Sequence, residues 1–331
     1  ALVIAGGIGA SIVAVLAPAP AEGRAAPTLI AATAEEVALD VATRYVDALA
    51  AGDAEAALAL VDVNDAASLA LATDEMLDAL SDDVRFDDAE IAVERSDEWA
   101  LPVATVTVAA GEEQFSFPLE IEADPASPEA SRITSGLPLL TFGTGYEGLD
   151  ITVNGIAADS STAAIYGVFP GLYRIGTDTP HFRIAGEPVE ATTDFAYVYS
   201  NERVPELDDE GVAAFRSAVR ASAEACLAST SLDAGCGLGV TSAVSGDATL
   251  VDGTVMRTIS DEAWAEIDAM EPSPGSESVL AQRGEHVGSV TFVADWTSPT
   301  LGSGREEIYG GPWLGTPTVD FGDPELPVSW D

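Results

Sequence analysis

The sequence predicts an α+β protein that opens with a transmembrane helix and continues into three folded units. Three observations support this fold class: residues 1–17 carry no charge, apolar residues recur at helical spacing in two later segments, and alternating runs follow both. The expected boundaries are 1–17 for the membrane helix, 18–32 for a Pro/Gly linker, 33–124 for an α+β domain, 125–147 for a second linker, 148–200 for a small β-sandwich module and 202–331 for a C-terminal α+β domain.

The apolar start has the composition of a membrane anchor. Its aliphatic residues cover every face of a helix, and the small residues that would allow close helix packing in lipid are Gly6, Gly7, Ala10 and Ser11. A bilayer crossing needs about 20 apolar residues, so we expect the anchor to begin slightly before Ala1. A signal peptide and a pilin leader are the alternatives. An anchor would make the lipid bilayer a partner through residues 1–17 and place the acidic bulk outside the cytoplasm.

The rest of the chain is strongly acidic. The whole chain of 331 residues includes 56 acidic and 13 basic side chains, and its net charge is -43. Such a surface repels nucleic acids, so we expect no nucleic-acid partner. Solubility, with adaptation to salt, is the simplest interpretation, and attraction of cations or of a basic partner is the alternative. All the basic residues are arginine, which excludes a Schiff-base lysine and a Walker A loop.

The first folded segment predicts a capped helix followed by antiparallel strands. Thr33 and Glu36 have the spacing of a capping box, and the helix presents an apolar stripe of Val37, Val41, Tyr45 and Leu49. Alternation then places Phe115, Phe117, Leu119 and Ile121 on one face of a strand, after a hairpin turn at 111–113. Helices followed by a meander predict an α+β domain.

Two segments resemble known families. The stretch RYVDALAAGDAEAALAL resembles the opening helix pair of the nuclear-transport-factor-like, cystatin-type cone fold. The combination ITVNG and YGVFPGLYRI resembles the small β modules of membrane-anchored bacterial envelope proteins of the teicoplanin-resistance-associated type. The resemblance implies a cone-like domain after a membrane helix and a non-catalytic role in the envelope. Enzymes of the cone family use an Asp/His pair, and residues 33–124 contain no histidine.

The last domain contains the two cysteines. A helix is expected with Val212, Phe215, Val219, Ala223 and Cys226 on one face, and Cys236 follows in the next loop. In an oxidising compartment these cysteines would form a disulfide, which would stabilise the fold by about 3 kcal/mol. Two unrelated buried thiols are the alternative.

Exposed aromatic residues are the candidate binding groups. Trp296, Tyr309, Trp313 and Trp330 lie in the Gly- and Pro-rich last third of the chain, where they either form a partner or glycan surface or cap the core. Adjacent acids are interpreted as solvated faces. We expect no catalytic residue, no metal site and no cofactor.

These features lead to one functional expectation and two alternatives. We expect a non-catalytic, membrane-anchored extracytoplasmic protein that is an accessory or structural subunit of an assembly of other envelope or membrane proteins. A free-standing sensor or adaptor that binds cell-wall polymer is the first alternative. A secreted hydrolase with carboxylate chemistry is the second. The lack of lysine and the abundance of alanine are typical of a high-GC bacterium.

Overall fold

The computed structural model describes residues 32–95, 100–161, 163–192, 195–198, 203–243, 246–308 and 311–331. Its α-helices are α1 (Ala34–Ala50), α2 (Ala54–Leu58), α3 (Asp74–Leu80), α4 (Asp209–Ala228) and α5 (Asp261–Ala269). Helices and strands are mixed along the chain, and the strands of the described ranges are divided among many small sheets.

The predicted fold class, with its transmembrane helix, is wrong. No helix in the described ranges has both the length and the apolar character that a membrane crossing requires. Helix α4 has 20 residues, but five of them are acids or arginines. Residues 1–17 lie outside the described residues, and so do the packing positions assigned to them, Gly6, Gly7, Ala10 and Ser11.

Helix α1 begins at the predicted capping box. The Thr33 hydroxyl accepts a hydrogen bond from the Glu36 N–H at 3.2 Å, and the Glu36 carboxylate accepts one from the Thr33 N–H at 2.8 Å. The predicted apolar stripe is buried, with Tyr45 fully enclosed. It packs on an antiparallel sheet of strands β1 (Arg85–Glu94), β2 (Val103–Ala110), β3 (Glu113–Glu122) and β4 (Arg132–Ile133).

Strand β3 shows the predicted alternation, since its four inward residues, Phe115, Phe117, Leu119 and Ile121, are all buried. The turn between β2 and β3 contains Gly111 at φ +61°, a left-handed conformation that favours glycine. The predicted hairpin is therefore confirmed.

The middle of the chain forms four small sheets. The segment 125–147, predicted as a linker, supplies strands to the fold. In the first sheet, β5 (Leu139–Phe142) lies between β8 (Ile165–Gly167) and β13 (Phe195–Val198). In the second sheet, β6 (Ile151–Val153) lies between β7 (Ile156–Ala158) and β10 (Ile175–Thr177). The other two sheets are pairs: β9 (Gly171–Tyr173) with β12 (Val189–Ala191), and β11 (Phe182–Ile184) with β14 (Pro205–Leu207).

Helix α4 packs its predicted face into the C-terminal core, where Phe215, Val219 and Ala223 are fully buried. Three sheets accompany α4 and α5. The first contains β15 (Thr249–Leu250), β16 (Met256–Thr258), β20 (Thr291–Ser298) and β21 (Gly302–Ile308); the second contains β17 (Ser273–Pro274), β18 (Ala281–Arg283), β23 (Pro317–Asp320) and β24 (Val328–Trp330); the third pairs β19 (Gly288–Ser289) with β22 (Trp313–Leu314).

The middle and C-terminal sheets are in direct contact. Phe321 packs edge-on against both His181 and Phe182, with ring centres 5.7 Å apart in each case. The N–H of Asp208, the cap of α4, donates to the His181 carbonyl at 3.0 Å. The start of α4 is therefore fixed to the middle sheets by a hydrogen bond and aromatic packing.

Tyr45 and Tyr173 are fully enclosed in the core. The Tyr45 hydroxyl donates to the Gly136 carbonyl at 2.6 Å, and the Tyr173 hydroxyl donates to the Phe169 carbonyl at the same distance. Burial raises the pKa of both phenols, because the charged phenolate would lose its hydration. Both groups therefore remain protonated in the folded protein well above pH 10, where an unfolded chain begins to release these protons.

We predict that Tyr45→Phe changes stability in two ways. Below pH 9 the free energy of unfolding falls by about 1–3 kcal/mol, because the buried Gly136 carbonyl loses its donor. Above pH 10 the free energy of unfolding falls with pH in both proteins, because phenols that stay protonated in the folded state ionise in the unfolded chain. The variant has one such phenol fewer, so its slope should be smaller than that of the wild type by about 1.4 kcal/mol per pH unit.

Urea unfolding measured across this pH range provides the check. Tyr173→Phe is the matched control, and it should show the same change in slope. Identical slopes in the wild type and in both variants would contradict the assignment of two buried, protonated phenols.

Candidate functional site

The predicted disulfide is confirmed. Cys226 in the last turn of α4 and Cys236 have sulfur atoms within bonding distance, and their Cα atoms lie 6.1 Å apart. Cys226 is buried, whereas Cys236 is half-buried. The bond joins the end of α4 to the segment 229–238, which we call the disulfide loop, and so restricts the conformations of that loop.

A buried arginine holds the disulfide loop from the inside. Arg257 lies in β16 and is only 4% exposed. Its planar guanidinium presents five N–H donors in a fixed geometry, which suits carbonyl groups that a loop leaves unpaired. The accepting carbonyls are those of Ser229 at 2.6 Å, Ser231 at 2.7 Å, Leu232 at 3.2 Å and Leu238 at 3.0 Å.

The environment of Arg257 is apolar on its other side. The guanidinium carbon lies 5.6 Å from the ring centre of Phe292, a fully buried residue of β20. Burial lowers the pKa of Arg257 below its ordinary value, and the negative charge of Asp233 acts in the opposite direction. The side chain remains charged at neutral pH, because an arginine titrates far above it. Carbonyl dipoles thus compensate a buried positive charge.

The structure describes three of the four predicted aromatic residues, and these three differ in exposure and in contacts. Trp296 is half-buried against Gly304 in the first C-terminal sheet, and its indole N–H has no hydrogen-bond partner among the described residues. Trp330 is half-buried in β24 and donates to the Ser222 hydroxyl at 3.0 Å. Tyr309 lies outside the described residues. The remaining residue of the set, Trp313, is the one that stands out from the surface.

Trp313 forms an exposed aromatic pair with His286. The indole is 63% exposed, and its ring centre lies 5.4 Å from that of the imidazole, with the two planes inclined by 46°. His286 is also exposed. Offset contacts of this kind are favourable between aromatic rings, so each ring limits the motion of the other. The two rings form a small surface that is accessible to solvent.

The backbone beneath the aromatic pair is fixed. Trp313 pairs with Ser289 across the two-stranded β19–β22 sheet, and Leu314 pairs with Gly288. The Leu314 side chain is fully buried and anchors β22 in the core. The Val287 N–H donates to the Gly315 carbonyl at 3.2 Å, which extends the pairing toward His286. Both rings are therefore carried by ordered backbone, as in a preorganised binding surface.

A charged cleft of about 510 Å³ lies between the middle sheets and the C-terminal region. Its two arginines are both ion-paired: Arg183 contacts Glu206 at 2.9 Å, and Arg216 contacts Glu271 at 2.6 Å. Arg216 also donates to the Met270 carbonyl just after α5 at 2.8 Å. The groups in this cleft thus serve contacts within the fold. Across the described residues, no set of three His, Cys, Asp or Glu side chains is placed to bind a metal ion.

Comparisons of the chain with protein-family models, with curated proteins and with solved structures find no match. The resemblances to the cone fold and to teicoplanin-resistance-associated envelope proteins therefore remain predictions. The candidate site is defined by the geometry of its own residues, chiefly the disulfide loop and the aromatic pair.

Sequence reasoning missed Arg257 and the role of His286. Arg257 gave no signal, because a single arginine in a short strand looks like a solvated one until its surroundings are known. The pairing of His286 with Trp313 gave no signal either, because the two residues are 27 positions apart in the sequence. Register between short strands brings them together, and that register is set by the fold as a whole.

We predict that Arg257→Leu lowers the free energy of unfolding by about 3 kcal/mol or more, because four carbonyls of the disulfide loop lose their donor at once and the buried Leu238 carbonyl is among them. Arg257→Lys retains the positive charge but not the five fixed N–H donors. Its free energy of unfolding should therefore lie between those of Arg257→Leu and the wild type. Chemical unfolding monitored by circular dichroism measures both.

Arg305→Leu is the matched control. Arg305 is an exposed residue paired with Asp295 at 2.8 Å, so its loss should cost less than about 1 kcal/mol. Similar losses for Arg257→Leu and Arg305→Leu would show that the buried guanidinium contributes no more than a surface charge.

Proposed function

We propose that the protein is a non-catalytic, extracytoplasmic binding protein of the cell envelope, and that its aromatic pair contacts a saccharide polymer of the cell wall. The observation that carries this proposal is the exposure of Trp313, at 63%, on ordered backbone beside His286. A large aromatic side chain held out to solvent is unusual unless it contacts something, since burying it would be favourable.

The chemistry of the aromatic pair suits a sugar ring. The face of an indole is electron-rich and attracts the apolar C–H groups on one face of a pyranose, while an imidazole supplies a polar group at the edge of the surface. Because Trp313 has few rotatable bonds and ordered support, little conformational entropy is lost when a ligand stacks on it.

The charge of the chain narrows the class of polymer. At a net charge of -43, the protein would repel anionic wall polymers over distances comparable to the screening length of the medium. Neutral glycan strands, or strands that carry amino groups, are the polymers that such a surface would tolerate. We therefore infer that the ligand is the glycan of the wall and not its phosphate-rich polymers.

The disulfide and the core support the other parts of the proposal. A structural disulfide is typical of oxidising compartments outside the cytoplasm. The region between α1 and its sheet, in which enzymes of the resembled cone family use an Asp/His pair, is filled by large buried side chains that include Tyr45 and Phe117. An assembly-subunit function is the second candidate, and the free edge of β24 described below favours it.

We predict that Trp313→Ala weakens binding to purified peptidoglycan about tenfold, which corresponds to the loss of one aromatic stacking contact. His286→Ala should weaken it less. Co-sedimentation with peptidoglycan stripped of its anionic polymers measures the bound fraction as a function of protein concentration.

Leu301→Ala is the matched control, because Leu301 is 73% exposed and lies outside the aromatic pair, so its removal should leave binding unchanged. The proposal fails if wild-type protein does not sediment with peptidoglycan, or if Trp313→Ala and Leu301→Ala sediment equally well with it. It also fails if the anionic polymers are required for binding.

A further inference from the structure

Among the described residues, strand β24 is an edge strand whose outward backbone groups have no hydrogen-bond partner. Asp331 exchanges two hydrogen bonds with Thr316, and Ser329 lies opposite Thr318 two residues earlier. The alternating pattern of an antiparallel ladder then places Val328 and Trp330 in non-hydrogen-bonded positions, so their N–H and C=O groups point away from β23. Within the described ranges, β24 has one neighbour in its sheet, β23.

A groove of about 470 Å³ runs along this edge. All three residues of β24 line it, and no residue of β23 does, which places the groove on the outward side of the strand. The opposite wall consists of Ser222, Ala225 and Cys226 of α4 and residues 234–237 of the disulfide loop. The groove is therefore bounded by an edge strand on one side and by the disulfide on the other.

The wall of the groove opposite β24 would allow an extended chain to approach closely. Its wall residues opposite β24 are small, with glycines at 235 and 237 on either side of Cys236, so a backbone can approach closely. The Trp330 indole is held by its hydrogen bond to the Ser222 hydroxyl at 3.0 Å and is half-buried. The indole provides an apolar wall at one end of the groove. A side chain from one face of a bound strand would pack against it.

The charge of the protein indicates what kind of peptide segment the groove could bind. The residues that line the groove are uncharged. The acids next to them in the sequence are Asp233, Asp331 and Glu224, and Glu224 is ion-paired with Arg220 at 3.1 Å. A bound strand thus passes between uncharged walls, on a chain that as a whole carries a charge of -43. A segment with apolar and basic residues in alternation is complementary to this arrangement.

We propose that β24 binds an extended segment of a partner protein by strand addition, and that the segment alternates apolar with basic residues. The backbone groups of Val328 and Trp330 supply the hydrogen bonds, as in other cases of β-augmentation. This inference concerns a site separate from the aromatic pair, and it stands whether or not the protein binds glycan.

The experiment titrates the protein with a capped synthetic peptide, (Val-Lys)4, at an ionic strength of about 0.15 M, so that long-range attraction is screened. Binding is measured by calorimetry and located by amide chemical shifts. We expect saturable binding, with the largest shifts at residues 328–331 and in the disulfide loop. The same peptide N-methylated at alternate residues, which lacks donors on one edge, should bind at least tenfold more weakly, a loss of about 1.4 kcal/mol.

Val328→Pro removes one outward N–H and leaves the hydrogen bonds between Ser329 or Asp331 and β23 in place, since proline is tolerated at edge positions of this kind. We expect it to weaken binding of (Val-Lys)4 at least tenfold. Ser303→Ala is the matched control, because Ser303 is an exposed residue of β21 that does not line the groove, so binding should be unchanged.

Three results would overturn the proposal: no binding of (Val-Lys)4 to the wild type, shifts centred away from β24, or equal affinity for (Val-Lys)4 and its N-methylated form. Equal binding of a (Val-Glu)4 peptide would overturn the charge preference. The comparison of (Val-Lys)4 with its N-methylated form uses the wild-type protein, so it tests strand addition even if Val328→Pro fails to fold.

Discussion

The buried guanidinium of Arg257 is the contact on which the C-terminal region depends. The disulfide loop has no regular structure of its own, and four of its carbonyl groups point inward to this one side chain. On its other side Arg257 lies over Phe292, and Phe292 in turn packs so closely on Gly311 that a Cβ there would lie 2.5 Å from the ring. Arg257 therefore supports the disulfide loop, which forms one wall of the β24 groove. Through Phe292 it also supports the backbone at Gly311, two residues before Trp313.

Arginine has a second use in this strongly acidic chain, which is to join elements that would otherwise repel each other. Arg220 of α4 contacts Asp268 of α5 at 2.5 Å and lies 4.8 Å from the ring centre of Trp264. Arg174 pairs with Asp83 and so links β10 to the segment after α3. Exposed pairs contribute little individually, and salt screens both these attractions and the general repulsion among 56 acids. The balance between the two explains how a chain with so few basic residues can remain compact.

Local features were predicted from the sequence more successfully than the arrangement of sheets. The capping box at Thr33, the alternation in β3 and the disulfide between Cys226 and Cys236 each depend on residues close together in the chain, and all are confirmed. The predicted fold class was wrong in its transmembrane helix, since no described helix fits one. The arrangement of small sheets was not predicted, because pairing such as β5 with β13, or β18 with β23, joins segments of three or four residues that carry no periodic signal. The candidate site shares this difficulty, since Arg257 and His286 acquire their roles only from residues brought near by long-range pairing.

Hydrogen exchange in the disulfide loop tests the central role of Arg257 most directly. The Val240 N–H donates to the Leu232 carbonyl at 2.8 Å, and the Val255 N–H donates to the Thr230 carbonyl at 3.0 Å, so both amides report on the order of the loop. Our account predicts that reduction of the disulfide leaves them protected, whereas Arg257→Gln accelerates their exchange about 100-fold while the amides of α1 remain protected. Loss of protection on reduction, with normal protection in Arg257→Gln, would contradict it and assign the order of the loop to the disulfide alone.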